Sequence, residues 1–358
     1  MDQELENWLV LHHTNLGPQK IFNWLKHFQS PSALRFATHS ELVDLGIVCK
    51  DIERLRQSYE KDIAQDKQWL NEANHSILSF TDLRYPLRLK QIAVPPLILY
   101  VQGNVATLAT DHIAIVGSRQ ASFTGLRNAK QFATVLARSG FTITSGLAYG
   151  VDAASHQGAL DAQGLTVAVA GTGLHHFYPK MHAKLGGEII KHRGAIISEF
   201  SLDTPPLAKN FPQRNRIIAG LARGVLVVEA AIKSGSLITA RLALDEGREV
   251  FAIPGSIHQP LVRGCHHLIK QGAKLVENAN DILEEFGLTL FNLTPIATID
   301  SHLEKGDAEL LGQIDYEITP TDVIILRSPL SESEVAASLL RLELAGFICS
   351  IPGGYIRC

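Results

Sequence analysis

Apolar residues in the first 70 positions recur every three or four residues. The stretches "ELENWLVLHHT", "GPQKIFNWLKHF" and "DIERLRQSYEKDIAQDKQWL" show this spacing, which is typical of amphipathic helices. The pairs Gly17-Pro18, Ser30-Pro31 and Ser40-Glu41 are signals for helix starts. The pattern therefore predicts a small all-helical domain over residues 1–70.

Near residue 76 the pattern changes to short apolar runs that alternate with helical stretches. The runs are "HIAIVGS", "FTITSG", "TVAVAGTG", "AIISEF", "GVLVVEA" and "EVFAIPG". Uninterrupted apolar strands alternating with amphipathic helices are typical of a parallel sheet with helices on both faces. We therefore predict an α/β fold, a Rossmann-like doubly wound parallel sheet, over about residues 110–288.

The C-terminal part of the chain has a different organisation. Periodicity is lost in residues 289–305, which we interpret as a linker. Residues 306–358 then show three helical stretches and a strand pair around Gly353-Gly354, and this order predicts a winged-helix domain.

The third helix of that domain would be the DNA reader of a winged helix. It carries Glu332, Glu334 and Glu343 against Arg341 alone. Because phosphates repel carboxylates, we expect this helix to contact protein or to serve the fold.

Composition and charge restrict the partners and the compartment. The 358 residues include 33 basic and 36 acidic side chains, so a polyanion would have to be held by a local basic patch. The four cysteines are scattered, as expected for reduced thiols in the cytosol. The N-terminus has no basic segment followed by an apolar one, and no 18 apolar residues occur in a row. We therefore expect a cytoplasmic protein with no membrane partner.

The turn after the first strand of the predicted sheet resembles the start of a dinucleotide site. Its sequence is "GSRQASFTG", with Arg119 where the second glycine of GxGxxG would stand. The second strand ends in "TITSGLAYG", without the carboxylate that would bind a ribose. No GxxxxGK[ST], HExxH or Cys/His metal pattern occurs either. We therefore expect neither a cofactor nor a metal ion.

Small residues follow several predicted strands at the edge where open α/β sheets bind ligands. Glycine and serine in such turns let backbone N–H groups and helix N-termini face an anion, which suits a phosphate without any catalytic side chain. The turns are Gly117-Ser118-Arg119, Ser145-Gly146, Gly171-Thr172-Gly173, Phe211 to Arg216 with Asn215, and Lys233-Ser234-Gly235-Ser236.

Cationic and aromatic side chains are interleaved with these turns. The cations are Arg119, Lys180, Arg214, Arg216 and Lys233, and the aromatic residues are Phe123, Tyr149, Phe177, Tyr178 and Phe211. Backbone donors, cations and ring faces together are typical of single-stranded nucleic-acid binding, where a stacked base contributes about 1–3 kcal/mol. We therefore predict that Arg119 clamps a phosphate of a single strand, although Phe177 and Tyr178 are also suited to pack their own loop.

The cations also have structural interpretations. Arg119 is suited to pair with Glu199 or Glu229, which follow other strands. Arg214 and Arg216 flank a single residue at a helix start, so we expect one of them to fix loop structure. Ligand binding is therefore supported by the convergence of several cations on one sheet edge. No single one of these residues would support it alone.

Catalysis has little support in the sequence. No GxSxG motif occurs, and we interpret Asp152 and His156, one helical turn apart, as a pair on a helix surface. The rival hypothesis is a nucleotide-processing enzyme, like a phosphoribohydrolase, on the same sheet. Such enzymes carry PGGxGTxxE, which the turns "VAGTGLHHF" and "AIPGSIHQP" do not supply. We therefore predict a protein that is not an enzyme.

Several long blocks carry a family resemblance. They are "IAIVGSR", "TSGLAYGVDAASHQGAL", "TVAVAGTGLHHFYPKMHAKL", "GAIISEF", "FPQRNRIIAGLARGVLVVEAAIKSGSLITARLALDEGREVFAIPG" and "LIKQGA". In this order they resemble the DprA/Smf family of DNA-processing proteins over about residues 80–288, and "LLRLELAGFICSIPGGYIR" is similar to the family's winged-helix ending. The resemblance implies an extended Rossmann-like domain over residues 76–288, between a SAM-like or helix-hairpin-helix-like domain and a winged helix.

The resemblance also implies a function. Members bind single-stranded DNA, protect incoming strands during natural transformation (competence), help to load the RecA recombinase in DNA recombination, act as homodimers and are not known as enzymes. By similarity, Arg119 and Lys180 are the main DNA-contacting cations. Together with the turns, the predicted DNA-binding residues are Gly117, Ser118, Arg119, Gly171, Thr172, Gly173, Lys180, Phe211, Arg214, Asn215, Arg216, Lys233, Ser234 and Gly235.

The sequence departs from common family forms at two histidines. His182 and His266 stand where many members have asparagine. If both faced the groove, they would make DNA affinity depend on pH near neutrality.

Overall fold

The computed structural model describes residues 2–288, 303, 305–316 and 318–357. The chain divides into two units, Met1–Thr289 and Leu290–Cys358. Most of the predicted linker, residues 289–302 and 304, lies outside the described residues. No helix in the described part of the chain has both the length and the apolar composition needed to cross a lipid bilayer.

A nine-stranded sheet forms the centre of the first unit. Its strands are β1 (His75–Ser79), β2 (Ile98–Gly103), β3 (His112–Val116), β4 (Thr142–Ser145), β5 (Thr166–Val169), β6 (Ala195–Ser198), β7 (Ala222–Val227), β8 (Glu249–Ala252) and β9 (Lys274–Leu275). Their order is β1-β2-β6-β5-β4-β3-β7-β8-β9. Neighbours from β6 to β9 are parallel, and β1 and β2 add an antiparallel hairpin at the β6 edge.

Helices cover both faces of this sheet. They are α7 (Leu87–Lys90), α8 (Phe123–Arg138), α9 (Val151–Asp161), α10 (Ala183–Lys191), α11 (Asn210–Leu221), α12 (Gly235–Asp245), α13 (Arg263–Lys270) and α14 (Ala279–Glu285). In β5, Val167 and Val169 join the core with α11, α12 and α13, whereas Ala168 joins the core with α9 and α10. Successive side chains of a strand point to opposite faces, so burial on both faces requires the uninterrupted apolar runs of the sequence. The predicted doubly wound α/β fold is confirmed.

The N-terminal helices pack on the edge hairpin. They are α1 (Gln3–His13), α2 (Pro18–Phe28), α3 (Pro31–Phe36), α4 (His39–Asp44), α5 (Cys49–Arg56) and α6 (Glu60–Leu70). Their core includes Ile98 and Tyr100 of β2. The Tyr100 hydroxyl donates to Asp66 Oδ1 at 3.0 Å, and His13 Nε2 lies 2.7 Å from Asp66 Oδ2. Residues 1–70, which the sequence predicts as a domain, therefore share a core with the sheet.

The stretch from residue 51 to residue 70 is two helices, not one. Gln57 is extended with ψ 144° and ends α5. The buried Tyr59 then donates its hydroxyl to the Arg54 carbonyl at 3.0 Å. The break coincides with the burial of this ring, which depends on distant residues, so periodicity alone did not indicate it.

The second unit has the order of a winged helix. It contains α15 (Lys305–Leu311), α16 (Thr321–Arg327), α17 (Glu332–Leu344) and the antiparallel pair β10 (Ile348–Ile351) and β11 (Gly354–Arg357). Ser331 and Glu334 form a capping box at the start of α17. The predicted C-terminal winged helix is confirmed.

The buried His112 and His156 and the half-buried His12 predict a pH dependence of stability. Burial lowers the pKa of His12 and of His156 to about 3 and that of His112 to about 4. The unfolded chain, with histidine near 6.5, binds more protons below that pH, so stability is present above about 6.5 and is lost as pH falls. We expect the free energy of unfolding to fall by about 1.4 kcal/mol per pH unit for each histidine.

Denaturant unfolding at about pH 7.5 and about pH 5.5 measures this effect. His156→Gln should flatten the dependence by one histidine's share. Equal unfolding free energies at the two pH values would contradict the prediction.

Candidate nucleic-acid interface

An open cleft of about 1110 Å³ lies at the carboxyl edge of the parallel strands. Turns after β3, β4 and β7 meet there with the starts of α11 and α12, because parallel strands direct their carboxyl ends to one edge. Nine predicted site residues line the cleft: Gly117, Ser118, Arg119, Phe211, Arg214, Asn215, Lys233, Ser234 and Gly235.

The turn after β3 is held by close backbone packing. A Cβ on Gly117 would lie 2.5 Å from Val151 Cγ2, and the Ser118 N–H donates to the Glu229 carbonyl at 2.7 Å. Gly150 has φ +76°, and a Cβ there would lie 2.2 Å from the Ser118 carbonyl oxygen. Neither position has room for a side chain, so glycine is needed at both where β3, β7 and α9 come together. This packing fixes the backbone position of Arg119.

Arg119 is exposed at the cleft. Its guanidinium lies 5.6 Å from the centre of the Phe211 ring, a cation–π distance. Glu199 is paired with Arg216, and Glu229 accepts from the Ser122 N–H at 2.9 Å. Within the described residues Arg119 forms no ion pair, so the alternative in which it pairs with either glutamate is wrong.

Two lysines supply further positive charge at this edge. Lys233 lines the cleft and is exposed. Lys180 is also exposed and follows the cleft residue Tyr178 by two positions, but it does not line the cleft itself. Neither lysine forms a salt bridge with any residue that the structure describes, which leaves both charges available to a ligand.

Arg214 lies in the floor of the cleft and is buried. It donates to the Gly146 carbonyl at 2.8 Å and to the Val169 carbonyl, so it ties together the ends of β4 and β5. Burial lowers the pKa of Arg214 to about 10, while the Asp152 carboxyl raises it in part. The expectation that one of the two neighbouring arginines fixes its loop is confirmed for Arg214.

Arg216 does not line the cleft. This half-buried side chain forms an ion pair with the buried Glu199, which directly follows β6. Burial raises the pKa of the Glu199 carboxyl, and the Arg216 charge opposes that shift. The structure thus gives Arg216 a structural partner, and its place in the DNA site stays a prediction.

The turn at residues 171–173, which the sequence predicts as part of the site, packs against a residue of the cleft without lining the cleft itself. A Cβ on Gly171 would lie 2.8 Å from Phe211 Cδ1. Thr172 is buried and donates its hydroxyl to the His176 carbonyl at 2.6 Å. A Cβ on Gly173 would lie 2.1 Å from a backbone carbonyl oxygen of the loop after β6. These three residues do not line the cleft, and Gly171 leaves the space that the Phe211 ring occupies.

Replacing Gly171 with alanine tests this packing. The added methyl would press on the Phe211 ring, and we expect it to lower the free energy of unfolding by about 1–3 kcal/mol and to weaken ligand binding without removing a charge. Thermal unfolding and a binding titration measure the two effects. Gly187→Ala is the control, because nothing lies within 4 Å of its Cβ position on α10. Equal stability of Gly171→Ala and wild type would contradict the prediction.

The interpretation of Asp152 and His156 as a helix-surface pair is wrong. Both are buried, since α9 packs against α8 and against β3, β4 and β5 of the sheet. Asp152 lines the cleft, and its Oδ2 accepts from the Gly146 and Ala148 N–H groups at 3.1 and 3.3 Å. His156 Nδ1 lies 2.7 Å from the Thr166 hydroxyl. Asp152 follows the glycine turn after β4 and lies in the first turn of α9. That position in the sequence was the signal that its carboxylate belongs to the cleft.

Some of the predicted aromatic residues line the cleft and others do not. Tyr149, Tyr178 and Phe211 line it, and Tyr149 and Tyr178 are 41% and 42% exposed. The Tyr178 and Phe211 rings lie 5.5 Å apart. Phe123 does not line the cleft, and Phe177 packs on α10, where a Cβ on Gly186 would meet its ring. Three of the five predicted aromatic residues are therefore available to a ligand.

The two unusual histidines do not line the cleft. His182 Nδ1 donates to the Leu147 carbonyl at 2.9 Å. His266 Nε2 accepts from the Gly255 N–H at 3.4 Å. The condition under which they would make affinity depend on pH is therefore not met.

Sequence reasoning missed part of the lining. Pro206 and Ala208 come from the segment between β6 and α11, Ile218 from α11 and Thr239 from α12. The Ser236 hydroxyl donates to the Gly117 carbonyl at 2.8 Å and so connects two cleft turns. A proline and an alanine in a loop carry no charge or periodicity that would have indicated them.

The fold and the cleft define a class: a Rossmann-like α/β protein with exposed cations and ring faces at the carboxyl edge of its sheet. Comparison with protein families gives two matches. The model described as DNA recombination-mediator protein A matches residues 76–287, and the DprA winged helix domain matches residues 297–354. The chain belongs to the DprA/Smf family, as the sequence motifs predicted.

Individual relatives agree with this assignment. Protein Smf of Escherichia coli K12 is 44% identical over 322 residues, covering 88% of this chain and 86% of that protein. The DNA processing protein DprA of Streptococcus pneumoniae is 47% identical over 208 residues, covering 58% of this chain and 73% of that protein.

Two solved structures are similar as well. DNA processing protein A from Streptococcus pneumoniae aligns with a TM-score of 0.69 and 38% identity, covering 78% of this chain and 97% of that one. DNA processing protein A from Helicobacter pylori, whose structure is described for its single-stranded DNA binding mode, aligns with a TM-score of 0.53 and 28% identity. That match covers 59% of this chain and 95% of that one.

Proposed function

We propose that this chain is a non-enzymatic recombination mediator that binds single-stranded DNA in the cleft. The observation that carries the proposal is the set of exposed cations, Arg119 and Lys233, beside exposed ring faces at the same edge. Cations bind phosphates, and rings stack on bases that are free of a duplex. The similarity to the Helicobacter pylori protein supports the same ligand.

Further proposals come from the family. We propose that the protein protects incoming DNA and helps to load RecA during natural transformation, that it acts as a homodimer and that it works in the cytoplasm. The winged helix we assign to a protein contact, because Glu332 and Glu334 on α17 are exposed and Arg341 is bound to Asp307 at 2.6 Å.

Binding of labelled single-stranded and duplex DNA at about 50 mM and about 200 mM salt tests the proposal. We expect the single strand to bind more tightly than the duplex at both concentrations. Its affinity should fall steeply with salt, because each phosphate contact releases counterions. Duplex binding as tight as single-strand binding, or no binding at low salt, would overturn the assignment.

The alternative is a nucleotide-processing enzyme, and one observation favours testing it. Asp152 is a buried carboxyl in the cleft, and burial raises its pKa, which is a property of some catalytic acids. Incubating the pure protein with nucleoside monophosphates and assaying for released base separates the two functions. Turnover would show that the protein is an enzyme; none is expected.

A further inference from the structure

Helix α17 of the winged helix has apolar side chains on two opposite faces. Its inner face carries the buried Val335, Leu339 and Leu342, which belong to the core of the domain. On its outer face Leu340 and Leu344 are 58% and 81% exposed. A surface helix normally turns a polar face to the solvent. The apolar outer face of α17 is instead typical of a surface that another molecule covers.

The exposed apolar residues of α17 form a continuous stripe. Ala336, Leu340 and Leu344 are exposed and lie four positions apart, and the exposed Ala337 precedes Leu340 by three positions. Residues three or four positions apart are neighbours on one side of a helix. We call these four residues the α17 stripe. It extends over about 12 Å and has the spacing of the seam along which two helices pack.

One edge of the α17 stripe is acidic. Glu332 and Glu343 are eleven positions apart, about three helical turns, so both lie along the same edge. Glu343 Oε1 accepts from the Ser350 N–H at 3.2 Å. Neither glutamate forms a salt bridge with any residue that the structure describes. Two carboxylates beside an apolar stripe attract an occupant that carries cations.

The arginines of the second unit do not neutralise this edge. Arg341, on the opposite edge of the stripe, and Arg327 are each paired with an aspartate, at 2.6 and 2.8 Å. The guanidinium of Arg357 lies 5.3 Å from the centre of the Tyr316 ring. All three arginines are therefore engaged within the unit, and the occupant of the stripe has to supply its own cations.

Two other occupants are disfavoured by charge. Antiparallel pairing of two copies of α17 would bring like edges together, so that Glu332 of one copy faces Glu343 of the other. Two carboxylates at close range repel each other. The phosphates of DNA are repelled by the same carboxylates. A basic occupant remains.

We propose that the α17 stripe binds an amphipathic helix of a partner protein, one with an apolar face and with lysine or arginine along one edge of that face. The apolar side chains of the partner pack on Leu340 and Leu344, and its cations pair with Glu332 and Glu343, about 16 Å apart along the helix axis. This inference rests on the proposed function, in which the winged helix contacts protein, and it identifies the chemistry of the partner.

Two labelled model peptides, roughly 21 residues long, test the inference on the full chain. Both present leucine and alanine on one helical face. One carries lysine along the edge of that face, and the other carries glutamate. We expect wild type to bind the lysine peptide about tenfold or more tightly at low salt, because two charge pairs form with one peptide and two repulsions with the other. Fluorescence anisotropy measures both affinities.

The double variant Leu340→Ser with Leu344→Ser removes the apolar contact. We expect it to bind the lysine peptide about tenfold or more weakly than wild type does, because two leucine side chains are no longer buried in the complex. Leu83→Ser with Leu87→Ser, which changes two strongly exposed leucines of the first unit, is the matched control and should bind like wild type.

The double variant Glu332→Lys with Glu343→Gln tests the acidic edge. The glutamine keeps an oxygen for the Ser350 N–H. We expect this variant to lose the preference for the lysine peptide over the glutamate peptide. Glu309→Lys with Asp322→Asn changes the net charge equally at two exposed acidic residues of the same unit, and it should keep the preference.

Each outcome decides for or against the inference. Equal affinity of wild type for both peptides overturns it, and so does unchanged affinity after the two leucines of the stripe are replaced. A smaller assembly of that leucine variant than of wild type in solution would show that a second copy covers the stripe. Displacement of the lysine peptide by duplex DNA would assign α17 to DNA, and either result overturns the inference. Failure of wild type to bind single-stranded DNA would instead contradict the proposed function, whatever the peptides show.

Discussion

Arg119→Ala combined with Lys180→Ala is expected to lower the affinity for single-stranded DNA by about a hundredfold at moderate salt. Each charge-assisted contact contributes about 1.5–3 kcal/mol, and about 1.4 kcal/mol is a tenfold change in affinity. Both side chains are exposed, and neither forms a salt bridge with any described residue, so the melting temperature should stay unchanged. Anisotropy titrations of a labelled strand measure the loss.

The salt dependence provides a second readout. Each lost phosphate contact should reduce the slope of log affinity against log salt by about 0.7. Arg138→Ala, at the end of α8 and so at the opposite edge of the sheet, and Lys50→Ala, on α5, are exposed controls that should bind like wild type. Unchanged affinity of the folded double variant would show that the strand does not lie where we place it.

Arg216→Ala is expected to lower the free energy of unfolding by about 3–5 kcal/mol, because it leaves the Glu199 carboxylate buried without its partner. Denaturant unfolding of the variant measures this. The double variant Arg216→Met with Glu199→Gln removes both charges and should recover most of the loss. The exposed Arg241→Ala on α12 is the control and should have wild-type stability.

The same variant distinguishes two roles for Arg216. A loss of stability with DNA affinity unchanged in the folded fraction supports the structural role. Wild-type stability together with weakened DNA binding would contradict it and place the guanidinium in the DNA site.

Much of the fold could be predicted from local patterns. The apolar runs indicated β3 to β8 because strands buried on both faces need apolar side chains at every position. The edge hairpin of β1 and β2 was not predicted, because its pairing joins segments about twenty residues apart with α7 between them. Nor could spacing show the break at Gln57, which depends on where the Tyr59 ring is buried.

The candidate site was predicted in part. Strand-end turns converge by topology, so Gly117, Arg119 and Lys233 could be placed at one edge from the sequence. The burial of each arginine could not be predicted: Arg119 is exposed, Arg214 is buried in the floor of the cleft, and Arg216 is paired with Glu199 and does not line the cleft. The three share one side-chain chemistry, and only the carbonyl and carboxyl groups that surround each one distinguish them.

By itself the sequence determined the class of fold, the family and the edge of the sheet where a ligand would bind, because strand periodicity and turn chemistry are properties of neighbouring residues. Only the tertiary structure decided which of the predicted cations are exposed to a ligand and which bind other groups of the protein. In the structure Arg119 is exposed beside the Phe211 ring, and Arg216 is paired with Glu199. Asp152, which the sequence predicts on a helix surface, lines the cleft. The physical reason is that burial and pairing of a side chain depend on groups distant in the chain, which no local pattern records.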